Sequence, residues 1–423
     1  MTHKLTMISA AVALALGAST AHADFDDMVS VRGFGTMGAV HSTEDQADVV
    51  GSVFQPDGAG YTRGIDVRGD SRVAGQVSVR FTDKLSLTAQ AITQYQYDGK
   101  FTPNIEWLNL KYSFTPALSA RIGRIALPTF LVSDSRMVGY ANTAVRPPEE
   151  LYKVAPLTNS DGVDLSYSFS SSRLQHSVQT FYGMSKPKIP AGDVDADTIY
   201  GANYQVEAGS ALLRVAYTHM DVDLELDMIE PMFDGLRQLA GALSSFGFAT
   251  AGAEASALVE KYKLQDINMS FLSLAGSYDP GAWFVIAEAL QFSGDSLLSD
   301  ARAGYVTAGA RFGKLTPYAT LAEVDADTKF ERGISTTGLP GMFADGAAAV
   351  NAGLNMTLNQ FQGSQQSVSA GMRWDAMNNI AVKGQYSYVD LGANSAGKLL
   401  NPQPGFVPGG SYSVYSLTVD FIF

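Results

Sequence analysis

The chain contains no cysteine, which excludes disulfides, thiol nucleophiles and Cys-ligated metal sites. Charge is sparse, at 17% of residues, and the 42 acids outnumber the 29 Lys and Arg. That balance argues against a nucleic-acid surface, which needs a basic patch to displace counterions from phosphate. Long apolar runs are also missing. After residue 23 no stretch supplies the roughly 18–20 consecutive apolar residues of a spanning helix. Histidine is scarce, with 5 in the whole chain, so acid–base chemistry has few candidates.

What is abundant points elsewhere. The 41 Gly, 19 Tyr and 22 Phe, beside so little charge, suit a large antiparallel sheet whose outer face meets lipid. The opening "MTHKLTMISAAVALALGASTAHA" has a short start with Lys4, an apolar run from Met7 to Gly17 and a small-x-small ending at Ala21-His22-Ala23. This is the layout of a cleavable secretory signal over residues 1–23, leaving 24–423 as the exported domain.

Period-2 alternation then dominates. In "SLTAQAITQYQYD" (86–98), Leu87, Ala89, Ala91, Tyr95 and Tyr97 share one parity and Ser86, Thr88, Gln90, Gln94 and Gln96 the other. "VDLSYSF" (163–169) and "IAVKGQYSYV" (380–389) behave alike. Sixteen such segments are expected, near 30–41, 71–82, 85–97, 104–115, 117–126, 161–170, 173–184, 197–207, 210–222, 266–278, 282–293, 302–313, 316–326, 365–376, 379–390 and 412–423. Most match the roughly 9–11 residues of a tilted membrane strand.

The links alternate between short and usually longer. "TDK", "TPA", "SSS", "AGS", "DPG", "GKL" and "AMNN" are tight; 42–70, 127–160, 223–265 and 327–364 are long. Sorting loops onto two rims is the asymmetry of an outer-membrane barrel; a secreted sandwich has no reason for it. Phe81, Phe114, Phe169, Phe312, Trp374 and Phe423 fall at the short-turn ends of apolar parity, with Tyr95, Tyr97, Tyr182, Tyr217, Tyr386 and Tyr388 near the opposite ends. Two such bands predict aromatic girdles. The fold class expected is therefore all-β, a transmembrane antiparallel barrel, 16-stranded unless 42–70 or "VNAGLNMTLNQF" (350–361) adds two strands. The Ala- and Leu-rich 223–265 link predicts an extracellular insertion with short helices.

Polar parity should face the lumen. It carries Arg80, Lys111, Arg121, Arg214, Arg311, Arg373 and Lys383, with Arg32 at the start of the first strand, against Asp164, Glu288, Glu323 and Asp420. Such a basic bias favours anions. Arg124 falls on the lipid parity, which calls for a bulge at Gly123 or a neighbouring subunit. The third outer link, 127–160, is stiffened by Pro128, Pro147, Pro148 and Pro156 and offers Asp134, Arg136, Arg146, Glu149, Glu150 and Lys153 as constriction charges.

"VSVRGFGTMGAV", "FTDKLSLTAQ", "WLNLKYSFTPALSARIGRIALPTFL" and the terminal "YSLTVDFIF" together resemble the Gram-negative trimeric porins of the general and phosphate-selective superfamily. The resemblance implies a homotrimer in the outer membrane, among lipid and lipopolysaccharide. It implies passive diffusion of small hydrophilic solutes and a third loop folded into the lumen. It also implies Phe423 as the signal read by the barrel assembly machinery after periplasmic chaperones. The dense Arg/Lys ladder of phosphate-selective members is absent. No cofactor, metal or nucleic-acid partner is expected. Rival readings are an 18-stranded substrate-specific channel, an adhesin, or a barrel enzyme using His41, His176 or the His219–Asp221 pair.

Overall fold

The structure, a computed structural model, describes residues 28–227, 229–361 and 363–423; the expected signal segment, 1–23, lies outside them. Alternating segments become sixteen long strands. They are β1 (Val29–Ser42), β2 (Arg72–Arg80), β3 (Leu85–Tyr95), β4 (Phe101–Ser113), β5 (Leu118–Ala126), β6 (Asn159–Ser171), β7 (Leu174–Ser185) and β8 (Gly192–Ala208). The second half is β9 (Ala211–Leu226), β10 (Ile267–Tyr278), β11 (Trp283–Gly294), β12 (Ala301–Ala310), β13 (Leu315–Ala326), β14 (Gln365–Met377), β15 (Ile380–Leu391) and β16 (Ser411–Ile422). Each pairs antiparallel with the next, and β16 returns to β1. Closure leaves no open edge to seek a partner.

Over the lower part of the wall the outer face is apolar. Val31, Val77, Leu110, Ile122, Leu165, Leu213, Leu274 and Leu417 point outward and are exposed, as they must be where lipid replaces water. Phe81, Phe114, Phe169, Phe312, Trp374 and Phe423 ring the short-turn end, and Tyr97, Tyr182, Tyr217, Tyr386 and Tyr388 the other. Tyr95 departs from its girdle. It is buried, with Arg68 stacked 4.2 Å from its ring centre and its hydroxyl against Asp57.

Toward the long-loop ends of β9–β13 this polarity inverts. Asp221, Asp223, Glu225, Asn268, Gln291, Arg302, Glu323 and Asp325 take the outer face. Val222, Leu224, Leu226, Ile267, Leu290, Phe292 and Val324 point inward and are buried. Strands that rise beyond the bilayer meet water outside, so the apolar parity changes sides. The apolar inner wall is then covered by three helices in one continuous core. After the single-turn α1 (Glu149–Tyr152), helix α2 (Glu230–Ser245) starts with a proline in its first turn, where no intrahelical N–H is needed. It buries Phe233, Leu236, Ala240 and Leu243, spaced for one helical face. Helix α3 (Ala249–Lys261) packs on it through Gly252, where a Cβ would strike Ser244. Helix α4 (Gly341–Gln360) adds Phe343, Ala347, Leu354 and Leu358.

The expected helical content of 223–265 is present, but as part of a cap on the barrel core. The two extra strands of the 18-stranded alternative are absent: 350–361 lies largely within α4, and 42–70 holds no more than the two-residue ladder of Asp48–Val49 with Ala59–Gly60 and isolated bridges. Leu354 and Leu358 recur with helical, not alternating, period.

The closing seam explains the terminal aromatic. Phe423 exchanges both backbone hydrogen bonds with Gly33, N to O 2.9 Å and O to N 2.8 Å. Its ring and that of Phe421 lie over Gly33 and Gly35, where any Cβ would collide with them. Two glycines on β1 thus make room for two aromatics on β16.

Candidate functional site

Strand β5 has nine residues and ends just before Pro128, which has no N–H to extend the ladder. The chain therefore leaves the wall low and enters the lumen. Through 127–158 it crosses to the far side and returns to β6. Arg214 of β9 donates to the Pro128 carbonyl at 2.6 Å. Buried Glu288 of β11 accepts from the Leu131 N–H at 2.9 Å and from the Tyr152 hydroxyl at 3.0 Å. Further along, Lys383 of β15 donates to the carbonyls of Gly139 (2.7 Å) and Ala144 (3.0 Å). Arg373 of β14 donates to those of Tyr140 (2.6 Å) and Asn142 (3.0 Å). Gly139 is pressed against Asp420 and Thr36, with no space for a side chain. Lys383 and Asp420 form an ion pair of 3.0 Å with both side chains fully buried.

The loop's own charges tie it down. Arg146 grips Asp70 at 2.6 Å and Glu149 at 2.8 Å, while Lys153 reaches Glu149 at 2.6 Å. Glu149 and Lys153 sit on, and just beyond, a single helical turn, Glu149–Tyr152. Burial pushes the Glu149 carboxyl upward, but Lys153 and Arg146 outweigh it and hold it below its ordinary value. Glu150 is buried and accepts from Gln365 at 2.8 Å. Asp134 is exposed.

The expected wall residues divide into three groups. Register places Arg80 opposite Ser86, Ser86 opposite Lys111, Lys111 opposite Arg121 and Arg121 opposite Asp164. One hydrogen-bonded row across β2–β6 thus carries three cations and a single acid near the short-turn rim. Arg121 binds Asp164 at 2.6 Å. Arg214, Arg373 and Lys383 face inward as expected, but they hold third-loop carbonyls rather than standing free. Arg311 sits at the rim and is clasped by Asp279 of the "DPG" turn at 2.6 Å. Glu323 is corrected. It alternates with buried Ala322 and Val324 and faces outward, because it lies above the level at which polarity inverts. Arg124 faces outward too, without a register shift at Gly123. Asp161 binds it at 2.6 and 2.8 Å. Its Nη1 donates to the Ile105 carbonyl at 3.1 Å, beside a bulge at Glu106.

Sequence reading missed Arg72, Asp70, Glu106 and Tyr152. Arg72 shares the parity of Arg80 in the same strand and was legible. Glu106 was not, since the bulge shifts it out of its strand's alternation.

No known protein-family model matches the sequence, and no curated protein matches it. Solved structures do. The anion-selective porin from Comamonas acidovorans superposes with a TM-score of 0.54 at 11% identity, over 93% of this chain and 99% of that one. The outer membrane channel DcaP of Acinetobacter baumannii gives 0.52 at 12% identity, over 93% and 97%. OmpT of Vibrio cholerae, an outer membrane protein in its trimer form, gives 0.51 at 11%, over 94% and 100%.

This chain has the fold of the Gram-negative outer-membrane porins.

Within the porin fold, the three described histidines, His41, His176 and His219, lie on the outer face. His176 stacks on Phe169 and meets the Tyr204 hydroxyl at 2.7 Å, and His41 stacks on Tyr415. His219 does contact Asp221, at 3.0 Å, on the outer face of β9 beside Tyr200. Neither the lumen nor the third loop contributes a group to this pair. Among the described residues no cluster of three or more His, Cys, Asp or Glu could hold a metal ion.

Proposed function

We propose that the protein is an outer-membrane porin, a water-filled channel for passive diffusion of small hydrophilic solutes and ions, without enzymatic activity. The observation that carries this reading is the third loop. It lies across the lumen and is bound to the walls at Arg214, Glu288, Arg373 and Lys383. Such a loop narrows a barrel at a defined level without closing it as a separate plug domain would. A barrel needing only to anchor outer loops has no use for so many inward anchors.

A mild anion preference follows from the Arg80–Lys111–Arg121 row, whose three cations meet only Asp164. A homotrimer surrounded by lipid and lipopolysaccharide, assembled through periplasmic chaperones and the barrel assembly machinery, completes the reading. The trimer form of the Vibrio cholerae protein supports it. Phe423 is the residue we assign to recognition by that machinery.

Purified protein in planar bilayers is expected to give ohmic steps, in threes for a trimer. Insertion without conductance would overturn the channel. In a KCl gradient the reversal potential is expected to have the anion-selective sign, and Arg121→Ala is expected to move it toward zero. A cation-selective wild type would overturn the charge assignment.

A further inference from the structure

A cavity remains between the first outer loop and the third. Gly51–Gln55, Gly69 and Asp70 line one side, and residues of 136–158 line the other. The row of register that runs from Asp420 through Thr36 places Arg72 at its edge. Most cations here are spent. Arg146 and Lys153 belong to Asp70 and Glu149, and Arg68 to Asp57 and Asp66.

Two are not. Among the described residues, no carboxylate comes within ion-pair distance of Arg72 or Arg136. Arg72 donates only to the Asp70 carbonyl at 3.3 Å and to the Met137 sulfur at 3.1 Å. Arg136 makes long contacts of 3.3 and 3.4 Å to the carbonyls of Tyr152 and Ala155. Their guanidinium charges act on one another across the cavity; Asp70 and Asp420 also act on Arg72, and Glu106 on both arginines, all from beyond ion-pair reach. Burial lowers Arg136 to about 10, still charged at neutral pH. A half-buried arginine with no acid within ion-pair reach has unused donors in a planar fork suited to carboxylate. Around the pair stand Val53, Phe54, Met137, Val145 and Pro156, an apolar lining that small inorganic anions would not use.

We propose that Arg72 and Arg136 form a binding subsite for small organic carboxylates bearing an apolar group, held on their way through the channel. The assignment rests on the porin reading and narrows its substrate class. The carboxylate takes the two forks, and the alkyl part lies against Met137 and Phe54.

The test uses full-length protein in planar bilayers, with chloride current read while acetate, butyrate or neutral butyramide is added. Butyrate is expected to reduce the current reversibly, with a half-blocking concentration about fivefold or more below that of acetate; butyramide is expected to do nothing. Arg72→Gln and Arg136→Gln are each expected to raise the butyrate value about tenfold, with unitary chloride conductance retained as proof of a folded channel. Glu106→Gln is expected to lower it. Equal block of both arginine variants and wild type would overturn the subsite, as would equal block by butyramide. Absence of chloride conductance in the wild type would instead overturn the porin reading beneath it.

Discussion

Glycine 33 has a single task that no other residue can perform: it leaves the space that the Phe423 ring fills. Gly33→Val is expected to force that ring off β1 and loosen the seam. Each kcal/mol lost there changes the folded population about fivefold, so the amount of protein recovered as inserted barrel should fall several-fold. Gly75, with open space around its missing Cβ, is the matched control. At the same scale, Glu149 sets a pH limit. Its folded carboxyl lies below the usual 4.5, so the clasp is fully present above that pH and is lost only as pH falls through the lower folded value. Conductance is therefore expected to hold steady from neutral pH to about 4.5 and to become noisy or altered only below. Drift between pH 7 and 5 would mean that another group governs the loop.

Among the elements, the third loop depends on a buried ion pair. Removing one partner of such a pair costs about 3–5 kcal/mol, whereas replacing both by apolar residues is far cheaper. Lys383→Met alone is thus expected to release the Gly139 and Ala144 carbonyls and to strand Asp420 in a dry site. Single-channel traces should show larger, noisier currents and the barrel a lower melting temperature. Lys383→Met with Asp420→Leu should recover most of the melting temperature but not the quiet current, since the loop carbonyls remain unheld. Helix α2 offers a contrasting case. Leu243 is fully buried in the cap, and Leu243→Asp places an unpaired carboxylate there. Rapid proteolysis within 229–265, with strands β1–β16 left intact, is the expected result. Loss of the whole barrel would show that the cap and wall fold as one unit.

Across the whole molecule, the first and last outer loops clasp above the seam that Phe423 closes below. Asp48 and Leu400 exchange backbone bonds of 2.7 and 2.9 Å, and Asn401 reaches the buried Asp48 carboxylate at 2.8 Å. The joint between the barrel's first and last strands is thereby fastened at both ends. The wall is also uneven, from nine residues in β2 and β5 to 17 in β8. Low strands admit the third loop, and tall ones carry the helical cap.

Alternation and link lengths determined closure and which rim holds the long loops, because lipid permits no other arrangement of an alternating sheet, whereas sixteen strands rather than eighteen was decided by the helix Gly341–Gln360. They also put Arg80, Lys111 and Arg121 on the inward parity, since these positions lie where lipid faces one side and the lumen the other; that the three share one row came from the register. Glu323 was beyond their reach. Alternation reports which side is apolar, not which side is inside, and the two separate once strands leave the bilayer. What the inward cations do was likewise decided by tertiary structure. Lys383 and Arg373 meet carbonyls more than 200 residues away in sequence, and Arg72 stays unpaired because the third loop brings it Met137 instead of an acid. Local pattern specifies the face a side chain takes; only the path of a long loop specifies what it meets there.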